Sequence, residues 1–182
     1  MITGARKKAL DSYHTYRWYA CRTRPRAEKR AGQLLKLRGV DSYVPLLERE
    51  RQWSDRKKRI GFPLFPGYVF GQFSLAKVHE VLRVPGIVTV VRSDGNQAPV
   101  RPEELESIRA LVACVNAGNA PPEHVEFLES GQEVIVSHGP FSGIRGVLVE
   151  DRGRTRVVIR LSALRRAWSV ELPREILRAA AG

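Results

Sequence analysis

The period of the hydrophobic positions changes repeatedly along the first hundred residues, and each change marks an element. Trp18, Tyr19, Ala20 and Cys21 form a short apolar run closed by Thr23-Arg24-Pro25, which reads as a buried strand. Ala27, Ala31, Leu34 and Leu35 then recur at helical spacing, with Pro25 suited to the first turn and Gly39 to the stop. Val40 to Trp53 starts apolar and ends in alternating charge, a strand that leaves the core for solvent. Ser54-Asp55 turns it into the return limb Arg56-Lys57-Lys58-Arg59, giving a hairpin with a cationic tip. Two prolines and two glycines between Gly61 and Phe70 exclude a helix there, so the stretch leads irregularly into a strand, Tyr68 to Phe73. Leu75, Val78 and Leu82 stripe a short helix ended by Pro85-Gly86, and the β-branched run Ile87 to Val91 is a strand. Pro102 opens a third helix, with Glu103 and Glu104 where the helix dipole favours them and Leu105, Ile108, Leu111 and Val112 on one face. The order βαββαβα predicts an α+β sandwich, one sheet backed by helices.

The pattern is different beyond this point. Residues 116–128 show no hydrophobic period and contain Pro121-Pro122, the composition of a linker. Short strands follow at Glu133 to Val136, Ile144 to Glu150, Arg154 to Leu161 and Trp168 to Leu172, spaced for a small barrel that removes its edges by closure. Strict alternation in the third of these puts Val157 and Ile159 on one face and Arg156, Val158 and Arg160 on the other. The expected organisation is a flexible basic tail over 1–15, a domain over 16–115, the linker 116–128 and a barrel over 129–178.

Composition makes the chain globular and basic. The 182 residues are 43% hydrophobic, enough to bury a core, and carry a net charge of +12. The charge is uneven: 22 basic residues face 11 acidic ones up to Val115, against 9 and 8 from Asn116 on. The first part is therefore the polyanion-facing one, with nucleic acid the leading partner, and Arg24, Arg26, Lys29, Arg30, Arg56, Lys57, Lys58 and Arg59 the candidate contacts. Cys21 and Cys114 are far apart and neither has a Cys or His at metal-ligand spacing, so no metal site or cofactor is expected. Ser137-His138 places a nucleophile beside a base, but adjacent residues on a strand point to opposite faces, which favours a turn over a dyad. The chain is not expected to be an enzyme. No apolar run approaches a membrane span and no signal peptide is visible, which points to a cytoplasmic protein, expected as a monomer, with no membrane partner.

A resemblance adds to this reading. Arg17-Trp18-Tyr19, the helix after it, Tyr43-Val44-Pro45, Phe65-Pro66-Gly67-Tyr68-Val69-Phe70 and Val84-Pro85-Gly86-Ile87 resemble the N-terminal (NGN) domain of NusG-type transcription factors. Gly131, Glu133-Val134-Ile135-Val136 and Gly139-Pro140-Phe141-Ser142-Gly143-Ile144-Arg145-Gly146-Val147 resemble that family's KOW domain, an SH3-like β-barrel, closing at Val170-Glu171-Leu172. The resemblance implies a non-enzymatic elongation or antitermination factor that binds the clamp helices of the largest RNA polymerase subunit, with a second edge at the gate loop, and suppresses pausing. It implies clamp contacts at Phe65, Tyr68, Phe70 and Val90, a gate-loop edge at Lys77, Val78 and His79, and a KOW partner surface at Phe141, Leu164 and Arg165. Non-template DNA or nascent RNA would lie along the basic residues. Where the family's main branch has a Phe-Gly pair before its Arg, this chain has Leu164-Arg165-Arg166. That aromatic belongs to the surface that recruits Rho or a small-subunit ribosomal protein, so its absence counts against both contacts and points to an operon-directed factor of the RfaH or UpxY type. The alternatives are a divergent housekeeping NusG coupling polymerase to Rho or the ribosome, and a free-standing RNA-binding or ribosome-associated KOW protein.

Overall fold

In the computed structural model, which describes residues 13–52, 57–127, 131–151 and 153–180, the Trp18–Cys21 run lies in β1 (Arg17–Thr23), the strand on which the first sheet is built. Three strands pair with it, all antiparallel. A turn at Pro25 and Arg26 leads into α1 (Glu28–Leu37), which begins later than its hydrophobic spacing predicts. The reason is a left-handed residue, Arg26 at φ 63, in a turn held by the Arg24 N–H, which donates to the Gly86 carbonyl at 2.8 Å. Gly32 brings α1 close to the next strand, β2 (Asp41–Tyr43): a Cβ there would sit 3.0 Å from the Val44 side chain, and the Ser42 hydroxyl donates to the Gly32 carbonyl at 2.7 Å.

The expected single strand from Val40 to Trp53 is two elements. After β2 the chain passes Val44-Pro45, where proline has no N–H to continue the ladder, and enters β3 (Leu46–Gln52), which forms a two-stranded sheet with β4 (Lys57–Pro63). The chain then returns to the first sheet with β5 (Tyr68–Phe73), continues through a 3₁₀ turn (Leu75–Lys77) into α2 (Val78–Leu82), and reaches β6 (Ile87–Val90). A two-residue hairpin, β7 (Arg92–Ser93) and β8 (Asn96–Gln97), precedes β9 (Pro99–Val100), which pairs with Trp18 and Tyr19 of β1 and has no counterpart in the sequence pattern. The sheet order is β2-β5-β1-β6 with β9 on β1. One face packs on the helices through Tyr19, Cys21, Val69, Phe73, Val90, Ala31, Leu35, Val81 and Val84. By packing, the chain up to Val44 together with Phe65–Val100 forms one unit, and Pro45–Leu64 together with the chain from Arg101 forms a second.

In the second unit, α3 (Pro102–Asn116) carries the expected Pro and acidic first turn. Its last residue grips the hairpin: Asn116 Nδ2 donates to the Leu46 carbonyl at 2.9 Å and its Oδ1 accepts from the Glu48 N–H at 2.8 Å. Residues 116–128, expected as linker, contain β10 (Glu123–Val125). The remaining strands are β11 (Glu133–Val136), β12 (Arg145–Asp151), β13 (Arg154–Leu161), β14 (Arg166–Glu171) and β15 (Leu177–Ala179), in an antiparallel sheet ordered β10-β14-β13-β12-β11-β15. Its end strands have three residues each, so exposed edges are limited by shortness. The alternation predicted for β13 is only half seen, because Val157, Val158 and Ile159 are all buried. Val158 packs with Val147 and Ala167 under Val125 and Phe127, which the linker stretch supplies. The fold is α+β, as expected.

Cys21 has no exposed surface, and burial pushes its thiol up to about 12 from an ordinary value of 9.0. The folded chain therefore holds this proton more tightly than the unfolded one. Its contribution is intact below about pH 9 and is lost as pH rises toward about 12. Thermal melts across that range are expected to fall more steeply for the wild type than for Cys21→Ala. At pH 8 a thiol reagent should titrate Cys21 only after denaturant is added.

Candidate functional site

The Phe65-Pro66-Gly67-Tyr68 loop leads into β5 and is fixed from three directions. Gly67 has φ +84, a conformation open to glycine at little cost. Its N–H donates to Glu28 Oε1 at 2.7 Å, its carbonyl accepts from the Thr23 N–H at 2.7 Å, and the Tyr68 N–H donates to the Phe65 carbonyl at 3.2 Å. Glu28 is 5% exposed and stands at the first position of α1. A carboxylate this buried is tolerable only when it is hydrogen-bonded. Glu28 is the functional-site residue that sequence reasoning missed. Its signal is that it is the sole acid in α1, among Arg26, Lys29 and Arg30.

Register decides which face each expected contact occupies. Tyr68, Phe70 and Gln72 of β5 stand opposite Arg22, Ala20 and Trp18 of β1, with Tyr43 of β2 beside Phe70. This is the face away from the α1–α2 core. Phe65 and Phe70 meet there edge to face, with ring centroids 5.4 Å apart at 84°. Both are completely buried in the structure and form the floor of the face, where a direct contact was expected of them. Tyr68, Trp18 and Tyr43 are half-buried, and Arg22 is exposed. Val90, also expected as a contact, pairs with Cys21 and lies in the helix-side core, where it is 3% exposed. Of the gate-loop trio, Val78 packs partly against that core and His79 is exposed. The Lys77 ammonium lies 5.5 Å from the Tyr16 ring centroid, and the hydrogen bond it donates to the Tyr16 side chain raises its pKa.

The basic candidates divide between the two units. Arg24, Arg26, Lys29 and Arg30 are exposed in the first; Lys57, Lys58 and Arg59 are exposed on β4 in the second; Arg56 lies outside the described residues. Three arginines of the second sheet face carboxylates, Arg154–Glu171 and Arg156–Glu123 at 3.5 Å and Arg160 with Glu133, and Arg174, outside the strands, meets Glu150 at 3.4 Å. Arg165 holds φ 48, a left-handed geometry that favours glycine, with its guanidinium 5.3 Å from the Phe127 centroid. Leu164 is half-buried beside it. Phe141 lines a different cavity, with Pro121, Arg156 and Val170, so the expected KOW surface is not one cluster.

Ser137 and His138 do touch, with Oγ 2.8 Å from Nδ1, because the strand ends at Val136 and they lie in the turn. The Ser137 hydroxyl donates to the Ile176 carbonyl, so Nδ1–H donates to Oγ and does not draw a proton from it. Among the described residues no group of three His, Cys, Asp or Glu is placed to hold a metal ion, and no helix is long and apolar enough to cross a membrane.

The profile of the family described as "Transcription termination factor nusG" matches residues 16–109. The chain belongs to the NusG family. The Thermus thermophilus transcription termination/antitermination protein NusG is 32% identical over 130 residues, covering 66% of this chain and 67% of that one. The Yersinia pestis NusG is 31% identical over 137 residues, 73% and 71% of the two chains. A solved Thermotoga maritima NusG structure aligns over 92% of this chain and 98% of its own at 23% identity, with a TM-score of 0.46. The chain is thus a NusG-like transcription termination/antitermination factor.

Removing the carboxylate orphans a buried N–H. Glu28→Ala is expected to cost about 1–3 kcal/mol in chemical denaturation and to speed hydrogen exchange at the Gly67 amide. Glu28→Gln, which keeps an acceptor oxygen, is expected to lose less on both measures.

Proposed function

We propose that this NusG-family chain binds RNA polymerase through the sheet face centred on Tyr68 and suppresses pausing or termination. The observation that carries the reading is the half-exposed Tyr68 on a loop tied down by Glu28 and Thr23, over a floor made by the buried Phe65–Phe70 pair. A rigid aromatic with a preorganised base contributes affinity with little ordering cost. The clamp helices of the largest subunit are the partner in this reading, with Tyr68, Trp18 and Tyr43 as contacts and Phe65 and Phe70 as their support. Lys77 and His79 are the outward members of the gate-loop edge. The exposed Arg24, Lys29 and Arg30 add a salt-sensitive nucleic-acid component. Arg165 in the position of a glycine, and Leu164 in place of an aromatic, favour an operon-directed antiterminator over a Rho-coupled housekeeping factor.

The separation of contact from support has a direct test. Phe65→Ala is expected to lose about 3–5 kcal/mol of stability, as buried aromatics do. Tyr68→Ala is expected to stay folded yet be retained less by immobilised core polymerase. Wild-type protein is expected to shorten pauses in a purified elongation assay and to leave Rho behind in a pull-down. Pausing unchanged by the wild type would overturn the reading.

A further inference from the structure

The β3–β4 hairpin sorts its charges by face. Directly opposed residues of an antiparallel pair share a face, so Glu48, Glu50 and Gln52 lie with Gly61, Arg59 and Lys57. There Arg59 approaches Glu48 at 3.9 Å and Glu50 at 3.7 Å, and Lys57 shares the face with them, so its formal charges balance. The other face has three rows: Leu47 with Phe62, Arg49 with Ile60, and Arg51 at the register position opposite Lys58. On this face Arg49 and Lys58 share their rows with no carboxylate. Arg49 and Lys58 are exposed, Phe62 and Ile60 half-buried, and the Arg49 guanidinium lies over the Phe62 ring, 5.8 Å from its centroid. Successive rows are about 7 Å apart along the strands.

We propose that this second face binds single-stranded nucleic acid, with phosphates at Arg49 and Lys58 and a base stacked at the Arg49–Phe62 pair. A cationic ribbon alone attracts any polyanion; an aromatic ring with a guanidinium laid on it adds a stacking platform, which only unstacked bases can use. A duplex keeps its base faces inside. On the opposite face of the same ribbon Glu48 and Glu50 are both drawn to Arg59 and offset the charge of Arg59 and Lys57 together, so the hairpin has one nucleic-acid side. This reassigns the sequence candidates: Lys58 belongs to the site, Lys57 and Arg59 do not, and Arg49 joins it. It rests on the polymerase reading only for the source of the strand, which the transcribing complex would expose.

The test uses the full chain without polymerase, measuring fluorescence anisotropy of labelled single-stranded DNA, single-stranded RNA and a duplex of the same sequence across a salt series. Arg49→Gln/Lys58→Gln is expected to weaken single-strand binding about tenfold at low salt and to reduce the slope against log salt by about 1.4, two phosphate contacts' worth. Lys57→Gln/Arg59→Gln removes the same charge from the other face and should change affinity less than about threefold. Phe62→Leu should weaken single-strand binding about fivefold or more and leave the duplex unaffected. A preference for DNA or RNA identifies the strand. Equal losses from the two double variants, duplex binding as tight as single-strand binding, or no single-strand binding by the wild type would each overturn the proposal. The exposed Gln variants carry this decision even where Phe62→Leu loses stability. Polymerase retention by Tyr68→Ala is read separately, so either reading can fail alone.

Discussion

The hydrogen bond from the Gly67 N–H to the Glu28 carboxylate is the constraint on which the functional face depends. A charge-assisted bond of this kind is worth about 1.5–3 kcal/mol, and its placement matters more than its strength. It joins the start of a helix on one side of the sheet to the loop that feeds β5, whose alternate residues look out on the other side. With Thr23 holding the Gly67 carbonyl, both peptide groups of the one glycine are committed. The loop cannot swing, Phe65 stays against Phe70, and Tyr68 is presented from a fixed root.

Electrostatics then divides the chain between two jobs. In the second sheet Arg154, Arg156 and Arg160 each meet a glutamate from another strand, and Arg174 beside it meets Glu150, so part of its near-neutral charge is a pairwise arrangement on the surface. Exposed pairs of this kind add little stability, but they cancel the field that would otherwise attract polyanions. In the hairpin the same cancellation operates on one side only. Basic surface in this protein is therefore a matter of which cations lack a carboxylate on their own face, and the net charge of a segment does not reveal it.

What the sequence made legible follows from how local each signal is. The β-branched run at Ile87, the Pro102 start of α3 and the strands after Glu133 were all readable, because period and punctuation agree within a few residues. The start of α1 was not, because the left-handed Arg26 turn is held by Gly86, sixty positions away. The direction in which Phe70 and Val90 point was illegible for the same reason: it is set by pairing with Ala20 and Cys21, and composition near Gly67 is the same for a ring facing in or out. Val125 and Phe127 were hidden behind Pro121-Pro122, whose loop signature masked two residues that close an apolar cluster. The candidate site was legible as a stretch of chain, and its division into contact, floor and anchor was not.

Asn116 has a consequence of a different kind. Its side-chain amide offers β3 one donor and one acceptor, as a neighbouring strand residue would, and it does so at Leu46 and Glu48, the root of the hairpin. The root is thereby sealed against pairing with a strand of another chain, and its register is set without reference to the tip. Everything distal to Glu48 and Gly61 is free to lengthen, shorten or change composition without disturbing α3. The hairpin is in that sense a module on a fixed socket.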